Sequence, residues 1–242
     1  MSVSAEPLDV IAVGAHPDDV AIGCGGTIAM LAARGLRVGI VDLTDGEPTP
    51  GSSGPEERSA EAAAAARVLG VVHRETLAFP NRRLFDCFEA RVALGKIFRR
   101  HRPRLVLGLA EKTPLASPDH AQAVAITEAG VFYSRLTKWP ETFEGLPEHT
   151  VPSLMGYHLL AGVPTAPPGQ WPLVVDIGGF LETKVEAIAC YRSQFPPHKA
   201  HVLSRVRAIA ETVGVMAGCS VGELLVSPRL PRASDVGWLV PR

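Results

Sequence analysis

Little in this chain marks it as a partner for a charged or greasy surface. Its 24 lysines and arginines nearly balance 25 aspartates and glutamates, for a formal net charge of −1. Acids and bases are spread along the chain, with no basic stripe for nucleic acid and no polybasic tract for a membrane surface. No apolar run approaches the roughly 18 residues of a membrane span. The N-terminus, MSVSAEPLDV, has no charged segment followed by an apolar one, so a cytoplasmic setting is expected. Cysteine is scarce. Cys24, Cys87, Cys190 and Cys219 form no C-x-x-C pair, which argues against a thiolate metal site or a disulfide framework and for four buried or half-buried thiols. No internal repeat is evident. With 46% hydrophobic and 20% charged residues, the composition is that of a globular chain with a sizeable core. Its 242 residues suit one large domain or a domain with an appended lobe.

What is present alternates in kind. Short β-branched apolar runs occupy 8–15, 36–43, 71–79 and 104–110. Between them, 26–35, 55–70 and 88–101 have helical composition, and 119–133 follows as a further helix. Gly35 and Gly70 close two of these as C-caps, and Pro55 with Glu56 and Glu57 opens another. Strands alternating with helices of this length predict right-handed βαβ units. The expected class is α/β, a Rossmann-like three-layer αβα arrangement with a mainly parallel sheet. The run LVLGLA is apolar on both faces, as a central parallel strand must be. Beyond it, 138–171 is Pro-rich and irregular around a strand at 153–160. A strand at 172–177 and helices at 180–194 and 201–218 complete the pattern.

Ligands of open α/β sheets bind beyond the carboxyl ends of the strands. There, after the first strand, stands Ala15-His16-Pro17-Asp18-Asp19. A dinucleotide site would need G-x-G-x-x-G at this place. Gly23 and Gly25 are present, but the third glycine position is Ile28, and the preceding carboxylates would repel a pyrophosphate. Metal chemistry fits better. His16 and Asp19 offer an imidazole and a carboxylate around a turn stiffened by Pro17, a pair that zinc accepts, given a third ligand and an open position. Asp18 between them is a catalytic or supporting carboxylate. The third ligand should come from another strand end, and Ser117-Pro118-Asp119-His120, after the run 104–110, supplies His120. The plainer reading of the first cluster, an Asp-rich turn capping a helix, does not account for a second Pro-Asp flanked by histidine at a matching place.

These motifs, together with GCGGT (23–27), LTDGE (43–47), PEERSAEAAAAARVLG (55–70) and YRSQF (191–195), resemble the PIG-L, or LmbE-like, zinc deacetylase family. The resemblance runs from about residue 8 to about 230 in family order, and 221–231 is similar to the C-terminal stretch of bacterial members. It implies one deacetylase domain over 1–242, with a core at about 8–135 and a rim and C-terminal lobe at about 136–242. It also implies one Zn2+ per chain, with other divalent metals as alternatives, on His16, Asp19 and His120, and Asp18 as general base. The implied substrate is a small N-acetylglucosamine conjugate. Arg58 matches an arginine that contacts the polar end of the substrate, against the plainer reading of a solvated helix residue. Asp45 and Glu47 are candidates for the substrate rim, against a plain polar turn. Some family members form oligomers, so a homo-oligomer is among the expectations.

One position departs from the family. Members usually carry histidine where this chain has Ser117, and that histidine is credited with acid or oxyanion duty. Serine donates a hydrogen bond but is a poor proton donor at neutral pH. Zinc binding is expected to survive, and leaving-group protonation is in question. Asp18 could return the proton it takes from water, or His158 could fill the space, although a histidine packed on its strand is the plainer reading. His198 and His201 are further candidates, both expected at the surface. Asp119 either orients a neighbour or caps its helix. The alternative function is a catalytically impaired metal- or sugar-binding member of the family. A non-haem iron oxygenase would accept two histidines and a carboxylate, but the βα alternation speaks against it. The sequence leaves the aglycone open among malate, inositol, a lipid-linked inositol and a further sugar. The loops at 110–117 and 138–171 are expected to choose, and the lack of a membrane segment disfavours a lipid.

Overall fold

Strand β1 (Val10–Gly14, VIAVG) is buried at every position, as a strand covered by helices on both faces requires of its sequence. Strand β2 (Val38–Thr44, VGIVDLT) is buried just as fully, although it carries Asp42 and Thr44. The computed structural model describes residues 6–159 and 165–230. The expected features that extend past these bounds, namely the end of the 153–160 strand, part of the 138–171 rim and the last residues of the C-terminal lobe, lie outside the described residues.

The remaining strands are β3 (His73–Phe79), β4 (Leu105–Leu109), β5 (Ser153–Tyr157), β6 (Trp171–Asp176) and β7 (Gly222–Ser227). They form one seven-stranded sheet in the order β3-β2-β1-β4-β5-β7-β6. The first five strands are parallel, and β7 inserts antiparallel to both β5 and β6. The run 104–110 is therefore the central strand, as its two-sided apolarity predicts. Helices α1 (Asp19–Ala33), α2 (Pro55–Val68), α5 (Leu181–Ala189) and α6 (His201–Ala217) pack with one another. Helices α3 (Phe88–His101) and α4 (Asp119–Ser134) form a second group. This is the three-layer α/β arrangement expected from the alternation.

Three elements differ from the sequence reading. No strand is expected at 221–231, yet GELLVS forms β7 between two neighbours, its short run masked by a leading glycine and a glutamate. Helix α5 ends at Ala189 instead of continuing to 194. The residues after it fold into turns in which Ser193 donates from its amide and hydroxyl to Glu61 at 2.6 and 2.7 Å. Helix α1 begins at Asp19, seven residues before the expected start at Gly26, and is broken at Cys24 (φ −139°, ψ 24°). Glycine-rich sequence here is a poor helix former, and tertiary packing is what holds it. A Cβ on Gly23 would fall 2.1 Å from the Tyr157 ring, and one on Gly26 would meet Ile177 at 2.7 Å.

The break frees backbone amides, and one buried side chain takes them. Glu223 of β7 accepts from Gly26 N at 2.9 Å, Thr27 N at 2.7 Å and Thr27 Oγ1 at 2.6 Å. Lys184 of α5 donates to the same carboxylate at 2.6 Å. A carboxylate on a helix N-terminus complements both its free amides and its dipole, and here a buried lysine balances the charge. Replacing Glu223 by alanine should cost about 3–5 kcal/mol, the penalty for breaking a buried pair and stranding its partner. Urea unfolding with an unchanged m-value would register this. A loss below about 1 kcal/mol would mean that Lys184 and the freed amides reach other partners.

Candidate metal centre and catalytic cavity

Strand order reverses at β1, whose neighbours are β2 on one side and β4 on the other. Such a switch point opens a crevice at the carboxyl ends of the strands, and His16 to Asp19 span it. The turn is clamped from several sides. The Ala15 carbonyl accepts from Thr44 N at 3.0 Å and Thr44 Oγ1 at 2.9 Å. The Pro17 carbonyl accepts from Arg74 Nη2 and from the Tyr191 hydroxyl, each at 2.5 Å. Tyr157 donates to the Val13 carbonyl at 2.8 Å just upstream. Burial pushes the Tyr191 hydroxyl well above its usual range, so it keeps the proton it donates.

Arg74 is fixed in turn by Asp42, which it grips through Nε at 2.8 Å and Nη2 at 3.0 Å. Burial works against the guanidinium charge, and Asp42 more than restores it. Sequence reading missed Arg74, Asp42 and the role of Tyr191. The available signal was Asp42 itself, because a lone carboxylate inside a fully buried strand requires a cation.

His16, Asp19 and His120 come together although their two motifs lie about a hundred residues apart. Each offers a donor atom within 4.8 Å of the other two. His16 Nδ1 is 3.3 Å from His120 Nε2 and 3.5 Å from Asp19 Oδ2, and His120 Nε2 is 3.6 Å from Asp19 Oδ1. The Asp19 carboxylate is oriented by the His16 amide at 2.9 Å. On the far side of the imidazole, His16 Nε2 lies 3.3 Å from Asp119 Oδ2, which also accepts from the Arg82 amide at 2.6 Å. Arg82, at φ 61°, was not singled out from sequence, and nothing in its neighbours announces the left-handed turn.

The electrostatics are those of a cation site. Burial alone would lower the His16 imidazole, but the carboxylates of Asp19, Asp18 and Asp119 outweigh it and raise it to about 9. Burial opposes the charge on Asp19 too, yet His16 and His120 hold it below its usual range. Burial lowers His120 and favours its neutral form. A neutral imidazole, a carboxylate and a second imidazole that yields a proton are ligands in the forms that a divalent metal takes.

The other candidates fall in different places. Asp18, Arg58, Ser117 and the three convergent residues line one cavity of about 400 Å3. Arg58 is only 2% exposed. Its Nη2 lies 3.3 Å from Asp18 Oδ1, its Nη1 3.6 Å from Glu61 and its Nε 3.9 Å from Glu47. Arg58 is therefore a buried, carboxylate-held group rather than a solvated helix residue. Glu47 sits behind Arg58 and accepts from the Thr49 amide at 3.1 Å, while Asp45 accepts from the Glu47 amide at 2.9 Å. Both line a shallow surface hollow with Pro48 and Ser52, not the cavity. Ser117 Oγ accepts from the Asp119 amide at 3.3 Å. His158 lies past the end of β5, with Nδ1 3.4 Å from Glu111, and is not among the cavity residues. His198 and His201 are exposed.

The cavity wall also differs from the one expected. The segment 110–117 contributes Thr113 and Ser117, but 138–171 contributes only Leu159 among its described residues. Gln194, Phe195, Val202 and Arg205, from the end of the YRSQF turn and from α6, form the opposite wall.

Comparisons with known proteins agree with this architecture. A family profile described as PIG-L: GlcNAc-PI de-N-acetylase matches residues 11–130. Diacetylchitobiose deacetylase of Thermococcus kodakarensis is 32% identical over 219 residues, covering 86% of this chain and 79% of the relative. The 1D-myo-inositol 2-acetamido-2-deoxy-alpha-D-glucopyranoside deacetylase 1 of Saccharopolyspora erythraea is 31% identical, covering 80% of each chain. Among solved structures, the conserved protein TT1542 from Thermus thermophilus superposes with a TM-score of 0.81. It is 37% identical, with 96% of this chain and 98% of that one covered. The chain belongs to the PIG-L family of deacetylases.

His16 also makes metal-free stability depend on pH. Its folded-state value is raised from 6.5 to about 9, so the stability contributed by its protonated form is complete below 6.5. That contribution should be lost as pH rises through about 9. Thermal melts of chelator-treated protein across this window should show the decline. A melting point rising from pH 6.5 to 9 would contradict the assigned charge state.

Proposed function

We propose that this chain is a zinc-dependent N-deacetylase that removes the acetyl group from an N-acetylglucosamine conjugate. The observation that carries the reading is the convergence of His16, Asp19 and His120 on one wall of the cavity that Asp18 also lines. With zinc–nitrogen bonds of about 2.0–2.1 Å, neighbouring ligand atoms of a tetrahedral site lie about 3.3 Å apart. The closest donor approaches here, 3.3, 3.5 and 3.6 Å, fit that spacing, and two imidazoles with one carboxylate are a donor set that zinc accepts. Asp119 against the outer nitrogen of His16 is the carboxylate partner that orients ligating histidines.

His16, Asp19 and His120 would hold the zinc, which would supply a bound water of lowered pKa and a Lewis acid for the carbonyl. Asp18 accepts the proton of the attacking water. Arg58, fixed between Glu47 and Glu61, keeps the Asp18 carboxylate aimed into the cavity. The Ser117 oxygen is occupied as an acceptor by the Asp119 amide, which leaves its hydroxyl proton free to stabilise developing oxyanion charge. Serine does not deliver a proton to an amine at neutral pH, so Asp18 returns the one it took, and C–N cleavage releases acetate and the free amine. His158, paired with Glu111 outside the cavity, takes no part.

The relatives named above act on diacetylchitobiose and on a glucosaminyl inositol. What those compounds share is the N-acetylglucosamine unit, which supports that unit as the portion recognised here. The rest of the substrate would lie along Asn81, Arg82, Gln194 and Arg205. No helix among the described residues is long and apolar enough to cross a membrane.

Asp18→Asn should keep its zinc, measured by elemental analysis, and lose activity by about 10²–10⁴-fold, the usual worth of a general base. Equal amine release by the variant would remove Asp18 from this role. Ser117→His should raise turnover if the position supports the leaving group, and an unchanged rate would leave the proton return to Asp18. Wild-type protein that releases no amine from any N-acetylglucosamine conjugate would favour the impaired-member alternative.

A further inference from the structure

A second cluster of metal-binding side chains lies at the other end of the sheet. β3 is an edge strand, and His73 and Glu75, two residues apart near its start, project from the same face. His101, the last residue of α3, packs against them, its ring centroid 4.4 Å from that of His73. His73 Nε2 is 3.5 Å from Glu75 Oε2, and each of the three residues offers one donor atom within 4.8 Å of the others.

Hydrogen bonding shows which nitrogens are free. His101 is 5% exposed, and its Nδ1 donates to the Glu6 carbonyl in a long contact of 3.5 Å. Its Nε2 is therefore the unprotonated acceptor, and it is buried with no hydrogen-bond partner among the described residues. The buried Nε2 of His73 likewise has none. Leaving buried polar nitrogens unpaired is costly. A ring that donates one N–H to a backbone carbonyl and presents the other nitrogen bare is the arrangement that ligating histidines adopt. The bare Nε2 of His101, the Nε2 of His73 beside Glu75 and that carboxylate suit zinc, cobalt or nickel better than magnesium or calcium.

We propose that His73, Glu75 and His101 form a second divalent transition-metal site that ties the edge strand β3 to the end of α3. It lies at the amino end of the parallel strands, and the crevice lies at their carboxyl ends, so the site is separate from the chemistry. Arg100 opposes it, because its Nη1 is 3.6 Å from Glu75 Oε2 and offers the carboxylate a competing cation.

The test is a zinc count. Full-length protein is stripped with a chelator, re-equilibrated with Zn2+ and analysed by mass spectrometry for zinc per chain. Wild type should take up two equivalents, and His73→Asn one, with amine release unchanged. His101→Asn should behave the same way, and if that buried substitution unfolds the chain, the half-exposed His73 still decides the matter. His120→Ala should also hold one equivalent, now sensitive to a further His73→Asn change. Arg100→Ala should tighten the second equivalent by up to about fivefold, the worth of an exposed ion pair. Equal zinc content in wild type and His73→Asn, or weaker binding in Arg100→Ala, would overturn the proposal.

Discussion

The Arg74–Asp42 ion pair is the constraint on which the geometry of the crevice rests. A carboxylate inside a buried strand must be compensated, and the guanidinium that compensates it has donors to spare. Those donors reach the Pro17 carbonyl, the Tyr191 hydroxyl and the Ala62 carbonyl. One buried pair thus joins two neighbouring strands, a helix and the C-terminal turn to the single carbonyl between His16 and Asp18. The penalty of burying charge becomes rigidity at the turn that carries His16, Asp18 and Asp19. Preorganisation of this kind lets fixed groups stabilise a transition state without rearranging.

Around that anchor, carboxylates and cations are interleaved. Asp119 backs His16, Glu47 and Glu61 flank Arg58, and Glu223 holds Lys184. Each of these buried charges has an opposite one close by, so the site is dense in ionisable groups while the chain is nearly neutral overall. The exposed and half-exposed charges contribute solubility more than structure.

Much of this was legible in the sequence, and what was not has particular causes. The βα alternation pointed to the class of fold, because buried parallel strands must be apolar on both faces. The two Pro-Asp motifs pointed to His16, Asp19 and His120, because their place after strands is where such sheets bind ligands. Strand β7 was illegible because its pairing is antiparallel, with strands far from it in sequence. The start of α1 was illegible because glycine-rich sequence argues against a helix, and the packing of Tyr157 and Ile177 against bare backbone overrides that preference. Arg58 was singled out from its motif, but its burial between Glu47 and Glu61 was not legible, since helical periodicity reveals which face is turned inward only once its neighbours are known. The wall from Gln194 to Arg205 could not be read at all. It depends on α5 stopping early so that the chain turns back across the crevice.

The break in α1 makes an early element of the chain depend on a late one. The helix that begins at Asp19 is stabilised past its kink by Glu223, 197 residues after Gly26. The helix that follows the His16–Asp19 turn is therefore completed by a strand far along the chain. Without β7 between β5 and β6, the amides behind Cys24 would lack their carboxylate. The stability of α1 past its kink is thereby tied to the placing of β7 in the sheet.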